Sequence, residues 1–211
     1  MSGLAMNKTP LFALSALLFM SACDSAPSQT PLSEAPLAGA TIGGDFNLTD
    51  QDGKKRSFKE FDGSYRIVYF GYTNCPDICT PDMQNLMAGL KAFEKKNPEL
   101  AAKIQPIFIT VDPSRDTSAV LKQFVSAFHP RAIGLTGTDA EIAETAKKFA
   151  IYSSRVEGSS PESYLMSHSQ TPYLMGPKGE PLAIMPADVP NTEKNEGAPD
   201  LVEAELAKWV R

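Results

Sequence analysis

Residues 66–83 read RIVYFGYTNCPDICTPDM. Arg66 to Phe70 is a short apolar run of strand formers. Downstream, Gln84 to Lys96 places Leu86, Met87, Leu90 and Phe93 on one helical face, and Pro98 follows its end. Cys75 and Cys79 therefore lie after a buried strand and before a helix, at the carboxyl end of a strand, where the sites of α/β sheets gather. A helix start offers unpaired N–H groups and a positive dipole end, and both favour thiolate over thiol. Pro76 suits a first helical turn, where its missing N–H costs nothing. Four residues apart across such a turn, the two sulfurs can face the same side and close a disulfide or grip one ion. Three readings compete for the pair. A structural disulfide is disfavoured by its short loop, which constrains the unfolded chain little. The others are a thiol–disulfide oxidoreductase next to a βαβ pattern and a metal site with two thiolates.

Outward from this stretch, strands alternate with helices. Phe46–Thr49 and Arg56–Phe58 flank Asp50-Gln51-Asp52-Gly53, a hairpin signal with its Asp-Gly turn. Ile104–Val111 is a second buried strand, Ser118–Phe128 a helix and Ala132–Leu135 a short strand. Asp139 is placed to N-cap a helix that runs to Tyr152. Tyr164–Ser167, Tyr173–Gly176 and Leu182–Met185 read as strands, with a Pro-Lys-Gly-Glu turn before the last. Pro186–Asp200 is a polar loop, and Leu201–Val210 a closing helix. This order predicts βαβ units around a central sheet.

The 211 residues carry 20 Lys+Arg against 25 Asp+Glu, and this acidic balance argues against a nucleic-acid partner. Three cysteines are too few for a disulfide scaffold. Residues 1–22 have the layout of a secretory signal: Lys8 as the only charge, an apolar run from Leu11 to Met20, then the small pair Ser21-Ala22. The run is short for a membrane span, which takes about 20 apolar residues. Cys23 behind the small pair resembles the lipobox of bacterial lipoproteins, with Met20 where Leu is usual, and Asp24 resembles an inner-membrane retention signal. The expectation is a lipidated Cys23, a tether through residue 42 that is rich in Pro, Ser and Ala over residues 24–40, and a domain from 43 to 211. The domain would face the oxidising periplasmic side of a bacterial inner membrane.

The segment FGYTNCPDICTPDM, residues 70–83, resembles the signature of the Sco/SenC family. The resemblance continues at Asp112-Pro113-Ser114-Arg115-Asp116-Thr117, similar to the family's D-P-x-R-D-T. It continues again at Ser167-His168-Ser169 ahead of Tyr173-Leu174-Met175-Gly176-Pro177, similar to its D-H-S and Y-L-x-G-P stretch. The match covers about residues 43–210. It implies a thioredoxin-like α/β fold, a central mixed β-sheet flanked by helices with an N-terminal β-hairpin. It also implies a copper-binding chaperone of cytochrome c oxidase assembly, with Cys75, Cys79 and His168 as ligands of Cu(I) or Cu(II). The partners so implied are oxidase subunit II with its dinuclear copper centre, and other copper chaperones or thiol reductants. The chain departs from the family at Thr80 (Pro there), Asn74 (often His) and Ser167 (usually Asp), while Pro172 resembles the cis-proline of thioredoxins.

The chemistry of that donor set is coherent. Thiolates are soft and suit Cu(I), and an added imidazole favours Cu(II). Zinc accepts two cysteines and a histidine as well, but divalent affinity peaks at copper. Asp77 reads as a helix N-terminal carboxylate, or as a weak metal contact or docking charge. Asp112 reads as a turn residue or a group near the metal, and Asp116 or Thr117 as the cap of the next helix. His129 reads as a surface residue at a helix end. Met83, Met87, Met166, Met175 and Met185 read as core packing. The rival function is a thiol–disulfide reductase in which Cys75 attacks and Cys79 resolves; a peroxidase is the weakest alternative.

Overall fold

The computed structural model describes residues 1, 3, 30–158, 163–189 and 192–211. Cys23, almost all of the expected signal and residues 24–29 lie outside the described residues. No helix among the described residues is long and apolar enough to cross a membrane.

Among the described residues, nine strands and five α-helices follow in order: β1 Asn47–Asp50, β2 Lys55–Ser57, β3 Tyr65–Gly71, α1 Cys79–Lys96, α2 Pro98–Ala101, β4 Ile104–Thr110, α3 Ser118–Phe128, β5 Ile133–Thr136, α4 Asp139–Lys148, β6 Ser153–Val156, β7 Leu165–His168, β8 Tyr173–Met175, β9 Pro181–Ile184 and α5 Pro199–Trp209. Seven strands form one mixed sheet in the order β2-β1-β5-β4-β3-β8-β9, and β6-β7 make a separate two-stranded sheet. β3, β4 and β5 pair in parallel, while β8, β9 and the β1-β2 hairpin join antiparallel. Every residue of β3 is buried, Arg66 included, as befits a central strand covered on both faces. Tyr69 points to one face, where it meets Phe108 at 6.2 Å and Phe108 meets Phe124 of α3 at 4.9 Å between centroids, both pairs tilted. Phe70 points to the other and meets Phe149, just past α4, at 5.4 Å. The thioredoxin-like α/β sandwich with its N-terminal hairpin is thus present, the Asp50–Gly53 turn closing through Gly53 at φ +78°.

Several local expectations shift. α1 starts at Cys79 rather than Gln84, because Pro81 is tolerated in a first turn; Pro76 consequently precedes the helix. Thr138, not Asp139, caps α4 in a capping box with Glu141, and the helix stops at Lys148. β6 was not anticipated. The peptide bond at Pro172 is trans, since no cis bond occurs among the described residues, so the likeness to the thioredoxin cis-proline fails. Part of the expected tether packs on the domain: Ala35 is buried and the Leu37 amide donates to Leu182 O at 3.0 Å along the β9 edge.

Candidate metal centre

The centre lies where the parallel strands β3 and β4 end. Beyond Gly71 the chain turns through residues 72–78 and enters α1 at Cys79. Cys79 is the first helical residue and is fully buried; Cys75, one turn earlier in the loop, is half-buried. The Cys79 amide, an orphan donor of the helix start, points at Cys75 Sγ from 3.5 Å. Gly71 leaves room for the buried sulfur, since a Cβ there would stand 3.2 Å from Cys79 Sγ. Both thiols are free.

His168 closes the triangle. It is the last residue of β7, one position past the Ser167 end that the sequence suggests for this strand. Its Nε2 lies 3.3 Å from Cys79 Sγ, and its Nδ1 lies 2.9 Å from Ser169 O. A carbonyl can only accept, so Nδ1 carries the proton and Nε2 presents its lone pair to the sulfurs. Tyr72 stands edge-on to the imidazole, 5.9 Å between centroids. One donor atom from each of Cys75, Cys79 and His168 lies within 4.8 Å of the others. Two thiolates about 2.3 Å from a shared ion are separated by no more than about twice that distance, so the triangle fits a single soft cation. The His168 Nδ1–H bond supplies the outer support that metal-binding imidazoles need.

The two sulfurs differ electrostatically. Cys75 is pulled down to about 3, chiefly by a hydrogen bond from the Cys79 thiol, with further help from the Cys79 and Asp77 amides. Cys79 is pushed up by holding its proton for Cys75 and by burial. The pair therefore rests as an accessible thiolate beside a buried thiol. Beneath them, burial also raises the Asp82 carboxyl, which accepts from Tyr69 OH at 2.8 Å. A cavity of about 490 Å³ opens over Cys75, walled by Asp77, Ile78, Val156, Leu165 and His168 among others.

The remaining sequence candidates separate. Asp77 borders the cavity, but its carboxylate is not part of the donor triangle. Asp112 is also outside it: one carboxylate oxygen accepts from Arg115 Nε and the other from Tyr164 OH at 2.7 Å. Thr117 caps α3, which frees Asp116 for another task. Its buried carboxylate accepts from Thr73 N at 3.0 Å, Thr73 Oγ1 at 2.6 Å and Thr110 Oγ1 at 2.6 Å. Asp116 thereby ties the cysteine loop to the end of β4. Tyr164 and this use of Asp116 escaped the sequence reading; the D-P-x-R-D-T stretch was the signal that could have led to them. His129 is not on the surface but buried, 3.3 Å from Glu94. Met83, Met87, Met175 and Met185 are core residues, and Met166 lines the cavity.

Fold and site together define a thioredoxin-like domain with an open two-cysteine, one-histidine centre. The SCO1/SenC family profile matches residues 34–202, and the chain belongs to that family. Protein SCO2 of Saccharomyces cerevisiae mitochondria is 41% identical over 140 residues, 66% of this chain and 46% of that protein. The chain spans about half the length of the mitochondrial relatives it matches. Among solved structures, Bradyrhizobium japonicum ScoI with copper bound is 35% identical, with TM-score 0.68 over 80% of this chain and 99% of that one. BsSco, described with a disulfide switch and as a member of the Sco family of cytochrome c oxidase assembly proteins, is 26% identical, with TM-score 0.58 over 79% and 92%.

Proposed function

We propose that the domain binds one copper ion through Cys75, Cys79 and His168 and delivers it to the dinuclear copper centre of cytochrome c oxidase subunit II. In this reading it works from a lipid anchor at Cys23 on the periplasmic side of a bacterial inner membrane. The observation that carries the reading is the donor triangle, within 4.8 Å, with the His168 tautomer set so that Nε2 faces the sulfurs. Copper in a structural neighbour and the oxidase-assembly role of another lend it support. An open, three-donor site suits cargo, because an acceptor has to reach the metal. The test is anaerobic copper titration of the reduced chain with absorption spectra. Thiolate-to-Cu(II) charge-transfer bands should form, vanish in Cys75→Ser and weaken strongly in His168→Ala. A chain that takes up no copper while reducing a disulfide substrate refutes the reading.

The sulfur asymmetry favours one second reading, a thiol–disulfide reductase. Cys75 as thiolate attacks a target disulfide, and Cys79 then resolves the mixed disulfide. The target would be the oxidase cysteines or another copper chaperone. His168→Ala should leave that exchange largely intact.

A further inference from the structure

The β6-β7 hairpin carries the third donor yet shares no ladder with the seven-stranded sheet. A two-stranded hairpin is marginal alone, so the aim of His168 depends on what fastens the hairpin to the domain. At its base, Ser169 N donates to Tyr152 O at 2.9 Å, and Ser169 Oγ accepts from Tyr152 N at 3.1 Å. The far end of the hairpin, where Val156 pairs with Leu165, extends from that base over the cavity. It is met there by one tyrosine. Tyr164 OH donates to Asp112 Oδ1 at 2.7 Å, and Tyr164 O accepts from Arg115 Nη1 at 3.0 Å. The Arg115 and Arg155 guanidinium carbons lie 3.7 and 3.8 Å from its ring centroid. Two like-charged groups that close must bracket the ring on opposite faces. Arg115 in turn holds Asp112 and lies 5.8 Å from the Tyr72 ring, the ring that edges His168.

We propose that Tyr164 is a positioning residue for the centre: locked onto Asp112 and Arg115 of the β4–α3 loop, it holds the hairpin over the cysteines and so keeps the His168 imidazole aimed at them. Asp112, read from the sequence as a group near the metal, then acts on the metal only through this lock. The inference rests on the copper reading for its affinity measurement but not for its structural one. Freeing the far end lets the hairpin tilt about its base: His168, paired with Ser153 beside the Ser169–Tyr152 bonds, keeps its backbone place while its imidazole swings off the sulfurs, and the cavity wall of Val156 and Leu165 moves away with both sulfurs left in place.

The experiment compares wild type, Tyr164→Phe and Arg115→Lys as the reduced full chain. Lysine keeps the charge but can neither fork to two oxygens nor stack as guanidinium does. Each variant should lose about 10- to 100-fold in Cu(II) affinity, the usual effect of removing an outer support of a metal ligand. Cu(I), which two thiolates hold alone, should bind as in wild type. In the copper-free chain, nuclear Overhauser contacts between the Tyr72 and His168 rings should weaken in both variants. Equal losses for both oxidation states, or ring contacts that persist in Tyr164→Phe, overturn the proposal. A wild-type chain that binds no copper refutes the copper reading instead, and the ring contacts then decide the lock by themselves.

Discussion

Asp116→Ala tests how the cysteine loop is held. The wild-type carboxylate accepts three hydrogen bonds: two from Thr73, two residues ahead of Cys75, and one from Thr110. Hydrogen bonds to a charged acceptor contribute about 1.5–3 kcal/mol each. Two of the three donors are hydroxyls that can turn elsewhere; the Thr73 amide cannot. Removing a buried carboxylate also relieves its desolvation, the penalty that raises the Asp116 pKa. The net expectation is a loss of about 3 kcal/mol, which for a domain of this size lowers the thermal midpoint by about 6–12 °C. The pH dependence has a definite sign. Asp116 binds its proton more tightly folded than unfolded, so its contribution is fullest below the unfolded carboxylate value near about 3.9 and shrinks as pH rises through the raised folded value. The gap between wild type and variant should therefore be wider at pH 4 than at pH 7. Far-ultraviolet circular dichroism melts of the reduced chain read both quantities, and alkylation of Cys75 reads the loop. A midpoint drop under about 2 °C would sink the argument, as would a large drop with unchanged Cys75 reactivity.

Gly89→Ala improves helix propensity, yet its Cβ would stand 2.5 Å from Val202 Cβ and 2.7 Å from Pro199 O where α1 meets α5. Overpacking of this kind costs about 1–3 kcal/mol, so urea unfolding should show a lower midpoint; a more stable variant contradicts the close packing. Cys75, pulled down to about 3, should react with iodoacetamide at a nearly constant rate from pH 8 to pH 5, while Cys79 stays unlabelled until the chain unfolds. Peptide mass spectrometry separates the two, and equal labelling contradicts the assigned asymmetry. Burial lowers the His129 pKa, and its Nδ1 accepts from the Arg131 amide at 3.2 Å, a bond that protonation would break. The unfolded histidine takes up its proton near about 6.5, so stability is full above that value and falls as pH drops from there through the lowered folded value. His129→Gln should flatten the loss between pH 7 and 5 in urea titrations; an unchanged loss assigns acid sensitivity elsewhere.

What the sequence made legible is what local patterns encode. β3 and β4 announced themselves as apolar runs, each end within one residue, and α3 by its periodicity to the residue. The cysteine pair was readable because it falls between a strand and a helix. The β6 strand was not readable, because Ser153-Ser154-Arg155-Val156 is polar, half-exposed and without alternation. With β6 missing, the strand read as Tyr164–Ser167 stops one residue short of His168, which the fold places at the end of a paired strand. Asp116 was hidden by ambiguity, since Asp and Thr side by side are both good caps and only the fold shows that Thr117 takes that place. His129 was misjudged because its partner Glu94 lies 35 residues away on α1, a separation that no local pattern records.

The arrangement of the three donors bears on how a cargo ion would leave. Cys79 is fully buried within α1, packed against Gly71, and cannot follow an acceptor. Cys75 borders the cavity, and His168 rides on a hairpin outside the main sheet. Under the copper reading, an incoming soft donor meets the ion on the Cys75 side, and the imidazole can withdraw without disturbing the core. Release can then proceed one bond at a time, with Cys79 letting go last. Had all three donors come from α1 and the strands beneath it, each would be locked by core packing and the ion would be trapped. The same asymmetry serves thiol exchange, where the exposed thiolate attacks and the buried thiol resolves. His168 is the part that thiol exchange does not need. Its tautomer, fixed by Ser169 O so that Nε2 faces the sulfurs, weighs the molecule toward a bound cation.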